Sequence, residues 1–228
     1  MKVIYLDIET RGLDRHSDDI TVIAVVSEDT ATPKCAPVEH MFNICLMDPR
    51  ESKAAVCRLL DECDRIVAYN GIGFDIPFMA QWAYAAEGHA VVALAERAWN
   101  AKTLDFFQLA ETLLGAKVGM QKMCTDNGLA VSKSATGKQA VLWADQEEWE
   151  KLENYCMQDV KVLKTLTDFA RSNVVEARGY HRSNSMFAPV RYFRLEEDMT
   201  STVFPPTPEH SDYTTLDVWD VLSRVQGG

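Results

Sequence analysis

VIYLDIET, residues 3–10, opens the first regular element of the chain. Val3 to Ile8 is a nearly continuous apolar run, the pattern of a strand buried on both faces. Side chains alternate along a strand, so Ile4, Leu6 and Ile8 point one way and Val3, Tyr5, Asp7 and Glu9 the other. Two carboxylates therefore stand side by side at the C-terminal end of a buried strand. Like charges that close repel, and burial raises the cost. A divalent cation between them removes both problems. The plainer alternative has the strand simply emerging into water at Asp7. Strand C-termini are also where ligands sit in open α/β sheets.

Outward from this strand, Asp18-Asp19 predicts a turn into a second strand at Thr21–Val26, and a third is expected around Met41–Met47. Ser52–Cys63 has helical spacing, with Ala55, Val56, Leu59 and Leu60 on one side. Residues 66–69 read as a short buried strand, broken by Gly71 and Gly73. A helix is expected over Phe74–Ala86, with Pro77 tolerated in its first turn. Thr103–Leu114 reads as a helix entered from a short strand and closed by Gly115. Val131–Lys138 is a polar loop, and a long helix should run from about Asp145 to Ala170. Beyond it the pattern weakens. Pro205, Pro206 and Pro208 mark a linker, and Thr214 with Asp217 has capping-box spacing for a last helix at Thr215–Val225. Strands followed by alternating strands and helices predict an α/β domain with a mixed sheet.

The long helix carries a second anomaly. Trp149, Leu152, Cys156, Asp159, Leu163, Leu166 and Ala170 fall at spacings of three and four and define one face. Six suit a core. An ionised Asp159 does not, unless it is paired or holds a metal. The alternatives turn Asp159 toward solvent or pair it with Lys161, Lys164 or an arginine. Tyr155 lies one turn earlier on nearly the same face. A third acidic position, Asp75, follows the loop YNGIGFD at residues 69–75, where two glycines let backbone approach a ligand closely. Its ordinary alternative is a helix N-cap. Oxygen-only ligands without His or Cys point to a hard cation, Mg²⁺ or Mn²⁺, and paired hard cations suit phosphodiester cleavage.

Composition sets the class. The 228 residues are 47% hydrophobic and 25% charged, an ordinary globular balance. No apolar stretch is long enough for a membrane helix, so no membrane partner is expected. The N-terminus lacks a signal-peptide pattern, which places the protein inside the cell, in the cytoplasm. None of the six cysteines forms a C-x-x-C pair, and free thiols in a reducing compartment are expected. The net charge of −11 is unusual for a nucleic-acid binder, but residues 171–194 carry Arg171, Arg178, Arg182, Arg191 and Arg194 against Glu176 alone. Tyr180, Phe187, Tyr192 and Phe193 interleave with them. Such a stretch can stack a single strand, or serve as a solvated connector with a few anchoring aromatics.

Asp7-Ile8-Glu9-Thr10, the segment Asn70-Gly71-Ile72-Gly73-Phe74-Asp75-Ile76-Pro77-Phe78, and Tyr155-Cys156-Met157-Gln158-Asp159 together resemble the three exonuclease motifs of the DEDDy branch of the DnaQ-like 3′→5′ exonuclease superfamily, which includes the proofreading domains of family A and family B DNA polymerases. The resemblance spans about residues 1–170. Gly137-Lys138 ahead of the third motif adds to it in the style of family B polymerases. It implies a ribonuclease-H-like fold: a mixed five-stranded sheet flanked by helices, its second strand antiparallel to the rest, here with a C-terminal extension over 171–228. It implies that Asp7, Glu9, Asp75 and Asp159 bind two divalent cations, Mg²⁺ or Mn²⁺, and that Tyr155 helps Glu9 orient the attacking water. Thr10 and Leu13 are implied to contact the terminal nucleotide, Phe74 to line its pocket, and Asn70 to hold the sugar or brace the loop. The implied activity releases 5′-mononucleotides from a nucleic-acid 3′ end, with single-stranded DNA favoured and a polymerase or replication and repair partner. Two alternatives stay open: an RNA-trimming exoribonuclease of the same superfamily, and a non-catalytic nucleic-acid-binding or scaffold protein on this fold.

Overall fold

A computed structural model of the chain describes residues 1–32, 35–131, 135–181, 186–187 and 190–204. The expected helix at Thr215–Val225 and the proline linker lie outside these residues. The contacts divide the chain into two compact units, Met1–Asp105 with Lys133–Leu163, and Phe106–Ser132 with Lys164–Gly228.

The first unit is built on five strands, β1 (Lys2–Thr10), β2 (Ile20–Asp29), β3 (Val38–Asn43), β4 (Arg65–Ala68) and β5 (Thr103–Asp105), in the order β3-β2-β1-β4-β5. β2 runs antiparallel to β1 and β3, while β1, β4 and β5 run parallel. This is the ribonuclease-H-like mixed sheet, with the second strand reversed. The three parallel strands end at one edge, which brings Asp7 and Glu9, the loop after Ala68, and Asp105 to the same side.

The alternation read from VIYLDIET holds. Ile4, Leu6 and Ile8 join a core with Val56 and Leu60 of α1 (Pro49–Glu62), Ile76, Phe78 and Met79 of α2 (Asp75–Tyr84), and Val92 and Trp99 of α3 (His89–Asn100). Each fully buried aliphatic side chain there contributes about 1.5–3 kcal/mol. α1 starts where its chemistry allows: the Asp48 carboxylate accepts from the N–H groups of Arg50 and Glu51, and Pro49 needs no donor at the first position.

Several boundaries differ from expectation. β3 spans Val38–Asn43 rather than Met41–Met47, because Asn43 O accepts from the N–H groups of Leu46 and Met47 and turns the chain toward α1. α2 stops at Tyr84 and continues as a 3-10 turn over Ala85–Glu87, ended by Gly88 at φ 96°. The stretch from Val131 to Lys138 is not all loop. α6 (Gly137–Asp145) begins within it, and Glu147 at φ 57° separates α6 from α7 (Trp149–Ser172), so the long helix starts at Trp149, not Asp145. α3 was not anticipated at all.

The second unit contains α4 (Phe106–Leu114), α5 (Met120–Asp126) and the last turns of α7. Where the sequence pattern weakens, it also forms strands: β6 (Val175–Ala177), β7 (Tyr180–His181), β8 (Met186–Phe187), β9 (Arg191–Leu195) and β10 (Ser201–Phe204). β10, β9 and β6 form an antiparallel sheet, and β7 pairs with β8. Asn127 ties α5 to β6, its Nδ2 donating to Glu176 O at 2.8 Å and its Oδ1 accepting from Glu176 N at 2.7 Å. Phe193 is fully buried with its ring 6.1 Å from Phe106, so this aromatic is core and not a stacking surface. Arg178 and Arg194 pair with Glu176 and Glu196. Among the described residues, no helix is long and apolar enough to cross a membrane.

Candidate active site

Asp7, Glu9 and Asp159 each offer a carboxylate oxygen, and these oxygens lie within 4.8 Å of one another. Asp7 and Glu9 are half-buried at the tip of β1; Asp159 on α7 is buried. The apolar stripe of α7 explains the last placement. Leu152, Cys156 and Leu163 are buried on the same face, and this face carries Asp159 inward with them. Of the lysines that offered Asp159 an ordinary partner, Lys161 pairs with Glu39 and Lys164 with Asp168.

Asp75 approaches β1 from the loop side and is not one of the three residues whose oxygens gather within 4.8 Å. It is the first residue of α2, not its cap; the cap position is Phe74, which makes no side-chain capping bond. Asp75 Oδ1 instead accepts from the N–H of Ile8 at 3.0 Å, between the two carboxylates of β1. Burial, with the charge of Asp105 as the second cause, pushes the Asp75 carboxyl up to about 7, against the lowering effect of the N–H groups of Asp75 and Ile8.

The buried Tyr155 hydroxyl hydrogen-bonds Asp159. Burial, then the charges of Asp159, Glu9 and Asp7, hold its pKa far above the usual tyrosine value, so it stays a proton donor. The Trp143 ring of α6 meets it edge-on at 6.0 Å. Arg11 ties the end of β1 to this helix, its Nη1 lying 2.7 Å from Asp145. Cys156, read from sequence as core, is core and more: its Sγ lies 3.4 Å from Asp7 O and 3.7 Å from Asp7 Oδ2. Burial and the Asp7 charge raise its pKa, so the thiol stays protonated and donates.

The four positions expected to touch substrate fall into two groups. Leu13, 86% exposed, and Phe74 line one cavity of about 280 Å³ with Arg15, His16, Gly73, Pro77 and Phe78. Arg15 is held there by Glu96 at 2.8 Å. Thr10 and Asn70 shape backbone: the Thr10 hydroxyl donates to Gly12 O, and Asn70 adopts φ 69°. A larger cavity of about 380 Å³ lies at the opposite end of β1, around Lys2, Ser27 and Glu62, away from the carboxylates.

One site residue escaped the sequence. Asp105, at the end of β5, is fully buried. Its two oxygens accept from the N–H groups of Asn70 at 2.8 Å and Ile72 at 3.0 Å. A side chain that serves distant backbone leaves no periodic signal.

The donor set suits a hard divalent cation: carboxylate oxygens only, gathered closely enough to share an ion, with like charges that need one.

A family model, RNase_H superfamily, matches residues 4–171. The chain belongs to the RNase_H superfamily. The likeness read from the three motifs therefore holds at the level of this superfamily, and so does the reversed second strand. No curated protein sequence matches the chain significantly. Among solved structures, this RNase_H superfamily chain is similar to the family B DNA polymerase of the hyperthermophilic archaeon Pyrobaculum calidifontis. That match has 18% identity and a TM-score of 0.55, covering 74% of this chain and 24% of the polymerase. It is also similar to E. coli exonuclease I in complex with an oligonucleotide, at 12% identity and a TM-score of 0.46, covering 75% of this chain and 40% of that one. The chain thus spans about a quarter of the first and under half of the second.

Proposed function

We propose that this chain is a 3′→5′ exonuclease that uses two divalent cations to release 5′-mononucleotides from the 3′ end of nucleic acid. The observation that carries the reading is the gathering of Asp7, Glu9 and Asp159 oxygens within 4.8 Å. Its setting supports it: an RNase_H superfamily sheet whose parallel strands end at that point. Asp7, Glu9 and Asp159 would hold the first cation, and Asp7 with Asp75 the second. When bound, Mg²⁺ or Mn²⁺ would supply Lewis acidity, lowering the pKa of the attacking water and offsetting charge on the leaving 3′-oxygen. The protein does the positioning. Protonated Tyr155, fixed by Asp159, orients the water together with Glu9. Leu13 and Phe74 hold the terminal base. Thr10 and Asn70 keep the surrounding backbone where the sugar and phosphate must sit. Single-stranded DNA is the favoured substrate, and a polymerase or repair complex the favoured setting.

The test uses oligonucleotides of DNA and RNA, labelled at either end, single- and double-stranded, in Mg²⁺ and in Mn²⁺. A 5′ label should yield a descending ladder and a 3′ label free mononucleotide, both stopped by EDTA. Full activity in excess EDTA would refute the assignment.

The exposed rim gives a sharper check. Leu13→Ala should raise KM for a short single strand by an amount equivalent to at most about 1.5–3 kcal/mol, the range for burying one aliphatic side chain. At this exposed position stability should change by no more than about 0.5 kcal/mol. Steady-state kinetics beside a thermal melt separates the two effects.

A further inference from the structure

The loop that delivers Asp75 is held from behind. Asp105 is fully buried at the end of β5, in register with Ala68 at the end of β4. Its Oδ1 accepts from Asn70 N at 2.8 Å and its Oδ2 from Ile72 N at 3.0 Å, so one carboxylate binds two points of the turn that follows β4. The turn is tightly built. Asn70 sits at φ 69°, a left-handed conformation that Asn tolerates better than most residues. A Cβ at Gly71 would meet the Ala68 side chain at 2.3 Å, and one at Gly73 would meet Asn70 Oδ1 at 2.9 Å. Gly71 O then accepts from Ile76 N at 2.8 Å, starting the turn of α2 that carries Asp75, and Asp75 accepts from Ile8 N on β1. A continuous path of hydrogen bonds and short backbone links thus runs from Asp105 to the strand tip between Asp7 and Glu9.

We propose that Asp105 is a positioning residue of this site: it clamps the turn at Asn70 and Ile72 and thereby sets where Asp75 stands against Asp7 and Glu9. The proposal rests on the exonuclease reading for its catalytic consequence, but the clamp itself can be read without turnover. Desolvating a carboxylate completely is costly, and its use for two backbone donors offsets that cost only if the turn must not move.

Asp105→Asn keeps the shape and one acceptor but turns an N–H₂ toward a backbone N–H. In a variant whose thermal melt stays cooperative, Mn²⁺ affinity by titration calorimetry without substrate should fall roughly 10–100-fold, the range for outer-shell partners of metal ligands. The Mg²⁺ concentration for half-maximal cleavage should rise in parallel, and kcat should fall with KM for the oligonucleotide changed less than either. Unaltered Mn²⁺ affinity and kcat in folded Asp105→Asn would overturn the proposal. If the variant does not fold, hydrogen exchange on the wild-type chain decides: the amides of Asn70 and Ile72 should be as protected as the strand amides of β4, and loop-like exchange at both would overturn it. A wild-type chain that binds Mn²⁺ but cleaves nothing would sink the exonuclease reading while leaving the calorimetric and exchange results on the clamp intact.

Discussion

Asp7→Asn should lower 3′-end hydrolysis by roughly 10³-fold or more: several kcal/mol of charge stabilisation come from a bound cation, and each ~1.4 kcal/mol is tenfold in rate. Asp7 is the one ligand assigned to both cations, so an amide there weakens both at once. Its position also isolates the effect. Asp7 is half-buried among carboxylates whose charges repel, and Cys156 donates to its backbone oxygen as well as its side chain. Removing one negative charge relieves repulsion in the metal-free state, so the thermal midpoint should hold or rise. Single-turnover rates on a 5′-labelled strand, with a melt in EDTA, measure both. Asp159→Asn should match it in rate, and near-wild-type turnover in either variant would break the assignment.

Asp75→Asn should separate stability from activity. The carboxyl of folded Asp75 sits near 7, against an ordinary value of 3.8. A folded value above the unfolded one means that Asp75 contributes its full stability below about pH 4 and loses it as pH rises through about 7. At one pKa unit per ~1.4 kcal/mol, the loss is on the order of 4 kcal/mol at most, before local relaxation reduces it. In EDTA, wild-type chain should therefore be less stable at pH 8 than Asp75→Asn, and the gap should close toward pH 5. Mg²⁺ or Mn²⁺ should restore the wild type at pH 8 and do less for the variant. Turnover should drop by roughly 10²–10³-fold, comparable to losing one preorganised charge-stabilising group. Denaturant melts at pH 5 and 8, with and without metal, give the stability comparison. A variant gap independent of pH would contradict the burial argument.

How much of this could be seen in the sequence depended on whether a residue's partner leaves a periodic trace. The VIYLDIET run showed its strand, its alternation and its paired carboxylates, because both faces of β1 are buried and the period is strict. Asp159 stood out as an acid inside an apolar helical stripe. Asp75 took its ligand role from the resemblance alone, since an Asp at a helix start reads first as a cap; the structure shows its oxygen turned to Ile8 N instead. Asp105 was invisible, because its partners are backbone N–H groups more than thirty positions earlier. The strands β6, β9 and β10 escaped for another reason. They are three to five residues long, too short for alternation to rise above chance. α6 was hidden because its first residues, Gly137 and Lys138, read as the end of a polar loop.

Everything rests on acidic groups from β1, α2 and α7 closing around cations. Crystals soaked in Mn²⁺ and measured at its absorption edge test this directly. Anomalous peaks should appear in contact with Asp7, Glu9 and Asp159, and a second one shared by Asp7 and Asp75. A map in which Mn²⁺ binds only elsewhere, with Asp159 turned to open solvent, would contradict the account.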